Sequence, residues 1–124
     1  MLDNKINNLT AKDVMRVPVT IDCNRTVAHA QVLMQKNKTA CLCVTSGGRI
    51  IGLLHGEEIY PENLKLTAQD IIDPCKMSVV SRSDLSFVLK LMMEENLTNI
   101  LVMDKGKCVG VITKETLKQD GYLQ

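Results

Sequence analysis

The stretch TAKDVM at residues 10–15 returns as TAQDII at residues 67–72, 57 positions later, and this repetition decides the fold. After one additional residue in the second copy, the offset becomes 58 and runs without a gap through residues 19–59 and 77–117. Six of these 41 aligned pairs are identical, and apolar residues such as Leu54 and Ile112 fall in register. The sequence therefore predicts an internal duplication.

Each copy predicts the same order of elements. It opens with a short helix capped by T-x-x-D, in which the Thr hydroxyl can accept an amide N–H and the Asp suits the first turn. A short β run, an amphipathic helix, two β runs joined by a glycine-containing turn and a short closing helix follow. We place Asn37 and Asn96 at the C-terminal caps of the amphipathic helices, because Asn tolerates left-handed backbone. The closing helices are expected to begin near His55 and Thr113.

The duplication also predicts the domain organisation. We expect an N-terminal tail (1–8), repeat 1 (9–61), a linker (62–66), repeat 2 (67–120) and a C-terminal tail (121–124). A three-stranded sheet with two helices can cover only one of its faces, so one copy alone would leave apolar strand surface in water. Two copies can pack sheet to sheet and share a core. The predicted fold is α/β (α+β), with two β-α-β-β-α repeats related by a pseudo-two-fold axis.

Composition narrows the class of protein. The 124 residues are 45% hydrophobic and 23% charged, as in a globular domain. A net charge of +1, no basic run longer than two residues and 2% aromatics argue against a nucleic-acid partner. The polar N-terminal sequence and the lack of an apolar run of about 18 residues predict a cytoplasmic protein with no membrane partner. Five cysteines without a CxxC spacing favour buried thiols in a reducing compartment, with no metal site.

The sequence gives little support to catalysis. It contains no Walker A lysine, GxGxxG, HExxH or GxSxG motif, and no local signature of a cysteine-nucleophile family. The pair Glu57 and Glu58 is interpreted as first-turn acids favoured by the helix dipole. We therefore expect that the chain is not an enzyme and has no catalytic residues.

The ordered set of motifs resembles a known family. Each copy has a D-V-M-like start, a T-I-like β run, a helix containing L-M, a β run containing V and a glycine-containing turn. IIGLL at residues 50–54 and CVGVITKE at residues 108–115 complete the set. This succession resembles the cystathionine-β-synthase (CBS) domain, and two in tandem resemble a Bateman module. The resemblance covers residues 9–117. It implies a regulatory module, usually a homodimer, with two clefts that commonly bind AMP, ADP, ATP or S-adenosylmethionine.

The resemblance also implies how each cleft is built. One repeat supplies a fingerprint G-h-x-[T/S]-x-x-[D/N], whose hydroxyl meets phosphate and whose carboxylate takes the ribose hydroxyls. The other repeat supplies the segments entering its first and second strands, which grip the base. In repeat 2 the hydroxyl is Thr113, Lys114 adds a cation, and Thr116 replaces the carboxylate. In repeat 1, His55 takes the hydroxyl position and Glu58 replaces the carboxylate with a longer arm.

Two sets of candidate ligand-binding residues follow from this resemblance. Cleft A is predicted to contain Met15, Arg16, Val17, Pro18, Thr39, Ala40, Cys41, Thr113, Lys114 and Thr116. Cleft B is predicted to contain His55, Glu58, Pro74, Cys75, Lys76, Thr98 and Asn99.

Several of these residues have a second interpretation. Arg16 either offers a planar fork to phosphate or is a solvated loop arginine. Thr113 either contacts phosphate or only caps its helix. His55 either titrates near neutral pH and senses phosphate or protons, or is a partly exposed residue at a helix start.

Two functional hypotheses remain at the level of sequence. In the first, the chain is a stand-alone regulatory module that senses an adenosine-containing or other small anionic ligand in a cleft between the repeats and acts on a separate regulated protein. In the second, the clefts are degenerate and the CBS pair is a dimerisation or protein-interaction element without a small ligand. Both predict a homodimer, to which Met93 is expected to contribute, while His29 is expected on the surface.

Overall fold

The computed structural model describes residues 8–124, which form two compact units. The repeat-1 unit is Pro18–Cys75, and the repeat-2 unit is Lys76–Gln124 together with the segment that ends at Val17. Each unit combines a β-sheet with helices, so the predicted α+β fold class is confirmed. No helix within residues 8–124 has the length and apolar character needed to span a membrane.

The elements appear in the predicted order, with additions between the repeats. In chain order they are α1 (Ala11–Val14), β1 (Thr20–Asp22), α2 (Val27–Asn37), β2 (Cys41–Ser46), β3 (Arg49–His55), three 3-10 helices (Gly56–Glu58, Pro61–Asn63 and Ala68–Ile71), β4 (Asp73–Pro74), β5 (Ser78–Val80), α3 (Leu85–Glu94), β6 (Asn99–Asp104), β7 (Lys107–Thr113) and α4 (Lys114–Gln119).

The two sheets share one plan. In the repeat-1 unit the strand order is β1-β2-β3-β4, and in the repeat-2 unit it is β5-β6-β7. The first pair of each sheet is parallel, and the hairpin that follows is antiparallel. Strand β4, which pairs Asp73 with Leu53, was not predicted, because two residues are too few to show an alternating pattern.

Apolar residues at helical spacing on α2 and α3 contribute to the cores. Helix α2 buries Val27, Ala30 and Met34, and helix α3 buries Leu85, Val88 and Met92. These side chains cover one face of their sheet, where they join central strand residues such as Leu42 and Ile100. Burial of a side chain of this size stabilises the fold by about 1.5–3 kcal/mol. Aliphatic and Met side chains therefore build both cores.

Two details at the helix ends differ from the prediction. Asn96 does adopt left-handed backbone with φ 51°, but in the first repeat Lys38 does so, with φ 52°. Asn37 is instead the last residue of α2, and its side-chain Nδ2 donates to the carbonyl of Leu33 at 2.8 Å. The closing helix near His55 is only a 3-10 turn, whereas α4 after Thr113 is an α-helix of six residues.

The opening helices pack on the sheet of the opposite copy. Ala11 and Val14 of α1 are buried in the core of the repeat-2 unit, and the amide of Ala11 donates to Ser83 at 2.8 Å. In the same way, Ala68 and Ile71 join the core of the repeat-1 unit. Each unit therefore combines the opening helix of one copy with the strands of the other.

Candidate functional site

One end of the repeat-2 unit gathers polar residues from two strands and a helix. Asn99 begins β6 and pairs directly with Thr113, the last residue of β7. The amide of Lys114 donates to the carbonyl of Thr98 at 3.0 Å. Asn99 and Thr113 are the two buried polar residues of the described chain, at 2% and 7% exposure. Residues assigned by sequence to different clefts are therefore neighbours within this unit.

Thr113 caps helix α4 through a reciprocal contact with Thr116. The Thr113 hydroxyl accepts the amide N–H of Thr116 at 3.1 Å and donates to the Thr116 hydroxyl at 3.2 Å. The Thr116 hydroxyl in turn donates to the Thr113 carbonyl at 3.2 Å. Thr113 therefore caps α4, and its contact with phosphate stays a prediction. A ligand phosphate would have to take the hydroxyl proton that Thr113 now directs to Thr116.

Arg16 extends the polar end of this unit from the other side of β7. Its backbone exchanges two hydrogen bonds of 2.9 Å with Val111, two residues before Thr113. Its guanidinium is not a freely solvated group, because Nη2 donates to both carboxylate oxygens of Asp120 at 2.8 and 2.9 Å. Nη1 donates to the carbonyl of Val14 at 3.3 Å. The Arg16 side chain remains 46% exposed.

Asp120 is a site residue that sequence reasoning missed. It is the C-terminal cap of α4, where the helix dipole disfavours a carboxylate, and it lies one turn beyond Thr116 on the same face. An acid at an unfavourable helix end signals a nearby cation. The pairing with Arg16, 104 residues away, depends on the exchanged position of α1 and its following segment.

The corresponding end of the repeat-1 unit carries different chemistry. Cys41 begins β2 and pairs with His55, the last residue of β3. The imidazole Nε2 of His55 lies 3.4 Å from Oδ2 of Asp73 on β4. The Thr39 hydroxyl contacts both the amide and the carbonyl of Cys41, at 3.3 and 3.1 Å. The Glu58 side chain is exposed, and its carbonyl accepts from the next 3-10 helix.

The duplication relates these two ends residue by residue. At the offsets of 57 and 58, Asn99, Thr113 and Arg16 of the repeat-2 unit correspond to Cys41, His55 and Asp73 of the repeat-1 unit. The strand pairings agree, because Arg16 pairs with Val111 and Asp73 with the equivalent Leu53. One trio is amide, hydroxyl and guanidinium, and the other is thiol, imidazole and carboxylate.

The predicted clefts A and B each draw on both units. From cleft A, the repeat-2 unit contains Met15, Arg16, Val17, Thr113, Lys114 and Thr116, and the repeat-1 unit contains Pro18, Thr39, Ala40 and Cys41. From cleft B, the repeat-1 unit contains His55, Glu58, Pro74 and Cys75, and the repeat-2 unit contains Lys76, Thr98 and Asn99. The assembly of each complete cleft stays a prediction. Among residues 8–124, no group of three or more His, Cys, Asp or Glu side chains is arranged to hold a metal ion.

Two α+β repeats in tandem, each with polar residues at a strand end, define the class of this protein as a tandem-repeat module. The family model of the CBS domain matches residues 11–60 and residues 67–119. The chain therefore belongs to the CBS domain family, as the sequence motifs predicted.

Solved structures share this fold. A hemolysin-like protein containing a CBS domain from Oenococcus oeni PSU has a TM-score of 0.81 and 22% identity, over 95% of this chain and 93% of that chain. The CBS domain of a bacterial CNNM/CorC family Mg²⁺ transporter in complex with ATP has a TM-score of 0.75 and 20% identity, over 96% and 91%. The CBS domains of a transcriptional regulator from Streptococcus pneumoniae have a TM-score of 0.68 and 16% identity, over 90% and 98%.

Proposed function

We propose that this CBS pair is a non-catalytic regulatory module that binds an adenosine-containing nucleotide or another small anion. One observation carries the proposal: Arg16, Thr113 and Lys114 come together at one end of the repeat-2 unit, although Arg16 is about 100 residues away in sequence. The ATP complex of the transporter CBS domain supports a nucleotide as the ligand. Such a ligand regulates only by binding two states of the module with different affinity.

The side chains, rather than the helix dipole, carry the anion-binding argument. Helix α4 has only six residues. Within residues 8–124, the hydrogen bonds of the Arg16 guanidinium engage Nη1 and Nη2, which leaves Nε–H for a ligand. Lys114 adds a second cation next to Thr113. Two cations and a hydroxyl suit a phosphate chain, since Arg binds phosphate through several fixed N–H donors and Lys as a point charge.

The replacement of the family's carboxylate by Thr116 shapes the expected specificity. A neutral hydroxyl binds ribose hydroxyls less strongly than an ionised carboxylate does. Phosphate contacts should therefore dominate the affinity. We expect ATP to bind more tightly than ADP and ADP more tightly than AMP, and we expect this binding to weaken with added salt.

The test is a thermal-shift and calorimetric titration of the full chain with AMP, ADP, ATP and S-adenosylmethionine. At a ligand concentration of a hundred times Kd, the stabilisation is about 2.7 kcal/mol, which raises Tm by several degrees. Arg16→Gln and Lys114→Gln should each weaken ATP binding. Lys118→Gln is the matched control, because Lys118 is an exposed cation on the same helix. A flat response to all four ligands would refute nucleotide sensing.

A second function is favoured by a specific observation. The Thr113 hydroxyl and the Arg16 guanidinium are already engaged by Thr116 and Asp120, as a purely structural role requires. In that case the CBS pair is a dimerisation or protein-interaction element without a small ligand. Two measurements separate the functions. A dimerisation or protein-interaction element would give no heat of nucleotide binding in calorimetry, but it would still self-associate in sedimentation.

A further inference from the structure

The repeat-1 unit holds Cys41 and His55 side by side on one face of its sheet. The amide of Gly56 donates to the carbonyl of Ala40 at 2.7 Å, so these two residues form a hydrogen-bonded pair of the β2–β3 ladder. Hydrogen-bonded and non-hydrogen-bonded pairs alternate in an antiparallel ladder. Cys41 and His55 are therefore a non-hydrogen-bonded pair, in which opposed side chains are closest, with Cβ atoms about 4.5–5.5 Å apart.

The next strand places a carboxylate against the imidazole. Asp73 pairs with Leu53, two residues before His55, so its carboxylate lies on the same face of the sheet and reaches Nε2 of His55 at 3.4 Å. A carboxylate accepts, so this contact favours the proton on Nε2 and leaves Nδ1 as the basic nitrogen. Nδ1 is buried and has no hydrogen-bond partner within the described residues. Nδ1 is therefore a base with unused acceptor capacity on the side chain directly opposite Cys41, whose own Sγ donates to the carbonyl of Leu42 at 3.9 Å.

The five cysteines differ in their surroundings, and Cys75, which follows β4, is partly exposed. Cys23 and Cys43 are buried, at 6% and 2% exposure. Cys108 is partly exposed, but its Sγ donates to the carbonyl of Gly110 at 3.3 Å, and the repeat-2 unit contains no histidine. Cys41 is partly exposed, its Sγ makes a longer contact of 3.9 Å with the Leu42 carbonyl, and, unlike Cys108, it stands opposite an imidazole. Thiol, base and orienting carboxylate occur together only in the repeat-1 unit, because its counterpart carries Asn99, Thr113 and Arg16.

We propose that Cys41 is a site of reversible covalent modification by small disulfides, with His55 as its proton acceptor and Asp73 as the positioning residue. His55 Nδ1 takes the thiol proton, and the Cys41 thiolate attacks one sulfur of the disulfide. A new S–S bond to Cys41 forms as the original S–S bond breaks. The departing thiolate takes the proton from the imidazolium, so Cys41 is oxidised, the disulfide is reduced and no other oxidant is needed. This proposal does not depend on nucleotide binding.

The experiment treats the full native chain with 2,2′-dithiodipyridine, a neutral disulfide, and locates the mixed disulfides by peptide mass spectrometry over time. Cys41 should react first. His55→Gln should slow the reaction at Cys41 by about tenfold or more, because the base is lost. His29→Gln is the matched control, since His29 is an exposed histidine on α2, and it should leave the rate unchanged.

The buried cysteines report whether each variant remains folded. Cys23 and Cys43 should stay unreactive in a folded chain. If His55→Gln exposes them, Asp73→Asn takes its place, since it removes the orienting charge and should also slow Cys41. Faster reaction at Cys75 or Cys108 would overturn the proposal. An unchanged rate at Cys41 in a folded His55→Gln or Asp73→Asn chain would overturn it as well.

Discussion

Two aspartates show how a single residue fixes a turn that recurs in both copies. The carboxylate of Asp13 accepts the amide and the hydroxyl of Thr10 at 2.8 and 3.0 Å, and that of Asp70 accepts the same groups of Thr67 at 2.9 and 2.8 Å. The backbone hydrogen bond from Thr10 is the main cause that lowers the pKa of Asp13. The hydroxyl of Thr67 is the main cause that lowers the pKa of Asp70. Thus the Asp, more than the Thr hydroxyl, closes the T-x-x-D turn.

The lowered pKa values predict the pH dependence of stability. A carboxylate with a depressed folded-state pKa stabilises the fold above its ordinary value of 3.8 and loses this effect as pH falls through the folded-state value. Asp13→Asn and Asp70→Asn should therefore lower Tm at neutral pH, with the deficit disappearing in acid. Asp104→Asn, at the exposed end of β6, is the control. A deficit that persists unchanged at acid pH would contradict this mechanism.

Gly52 permits a close approach between strands β3 and β4. A Cβ atom at this position would lie 2.9 Å from the Asp73 carbonyl oxygen and 2.9 Å from Cβ of Ile72. Because backbone cannot move aside cheaply, Gly52→Ala should lower the free energy of unfolding by about 1–3 kcal/mol in chemical denaturation. Gly56→Ala is the comparison, since its Cβ would find its nearest neighbours at an ordinary 3.4 Å. Equal stability of the two variants would show that β4 does not approach this closely.

At the scale of elements, the exchange of opening helices joins segments far apart in sequence. Helix α1 contributes Val14 to the repeat-2 core, and the segment after it adds Arg16 to the edge of β7. The segment after the equivalent 3-10 helix adds β4 to the repeat-1 sheet. Each polar strand end is therefore completed by the other copy. Arg16 of the first copy completes that of the repeat-2 unit, and Asp73 of the second copy completes that of the repeat-1 unit.

This exchange predicts which residues change their NMR resonances when a core residue is mutated. Val14→Ala should shift the backbone NMR resonances of β7 around Val111 and of the Ser81–Ser83 turn, because the opening helix contacts them. The equivalent change Ile71→Ala should shift resonances of the repeat-1 unit instead. Changes from Val14→Ala confined to β1, β2 and β3 would contradict the exchange.

At the scale of the whole molecule, the two copies differ on their exposed helix faces. On α3, Phe87 is 53% exposed and Met93 is 73% exposed. The equivalent positions of α2 are the polar residues His29 and Gln35, and His29 is exposed as expected. On α2 the exposed apolar side chain is Val32, at 59%. The exposed Phe87 and Met93 fit the predicted homodimer, because flexible Met suits adaptable apolar contacts.

Sedimentation tests the homodimer. The chain should sediment as a dimer at tens of micromolar, and the double variant Phe87→Ser with Met93→Ser should shift it to monomer by removing apolar contact area. The double variant His29→Ser with Gln35→Ser changes the equivalent face of α2 and should leave the dimer intact. A monomeric unmutated chain would contradict the prediction.

Most of the fold could be predicted from local signals. The duplication, the apolar faces of α2 and α3, and the two hairpins follow from repeat offset, helical spacing and glycine-containing turns, which are properties of neighbouring residues. Strand β4 was not predicted, because it has only two residues. The left-handed backbone of Lys38 was not predicted either, because it depends on where the last turn of α2 ends.

The sequence by itself determined the family, the paired repeats and the chemical types at their strand ends, because motif order and residue type are written along the chain. Only the tertiary structure decided which of these residues meet. It paired Arg16 with Asp120 and placed His55 between Cys41 and Asp73. Such contacts follow from the exchange of opening helices and from strand register. Burial of the apolar residues of each unit fixes both, and the spacing of neighbouring residues does not encode them.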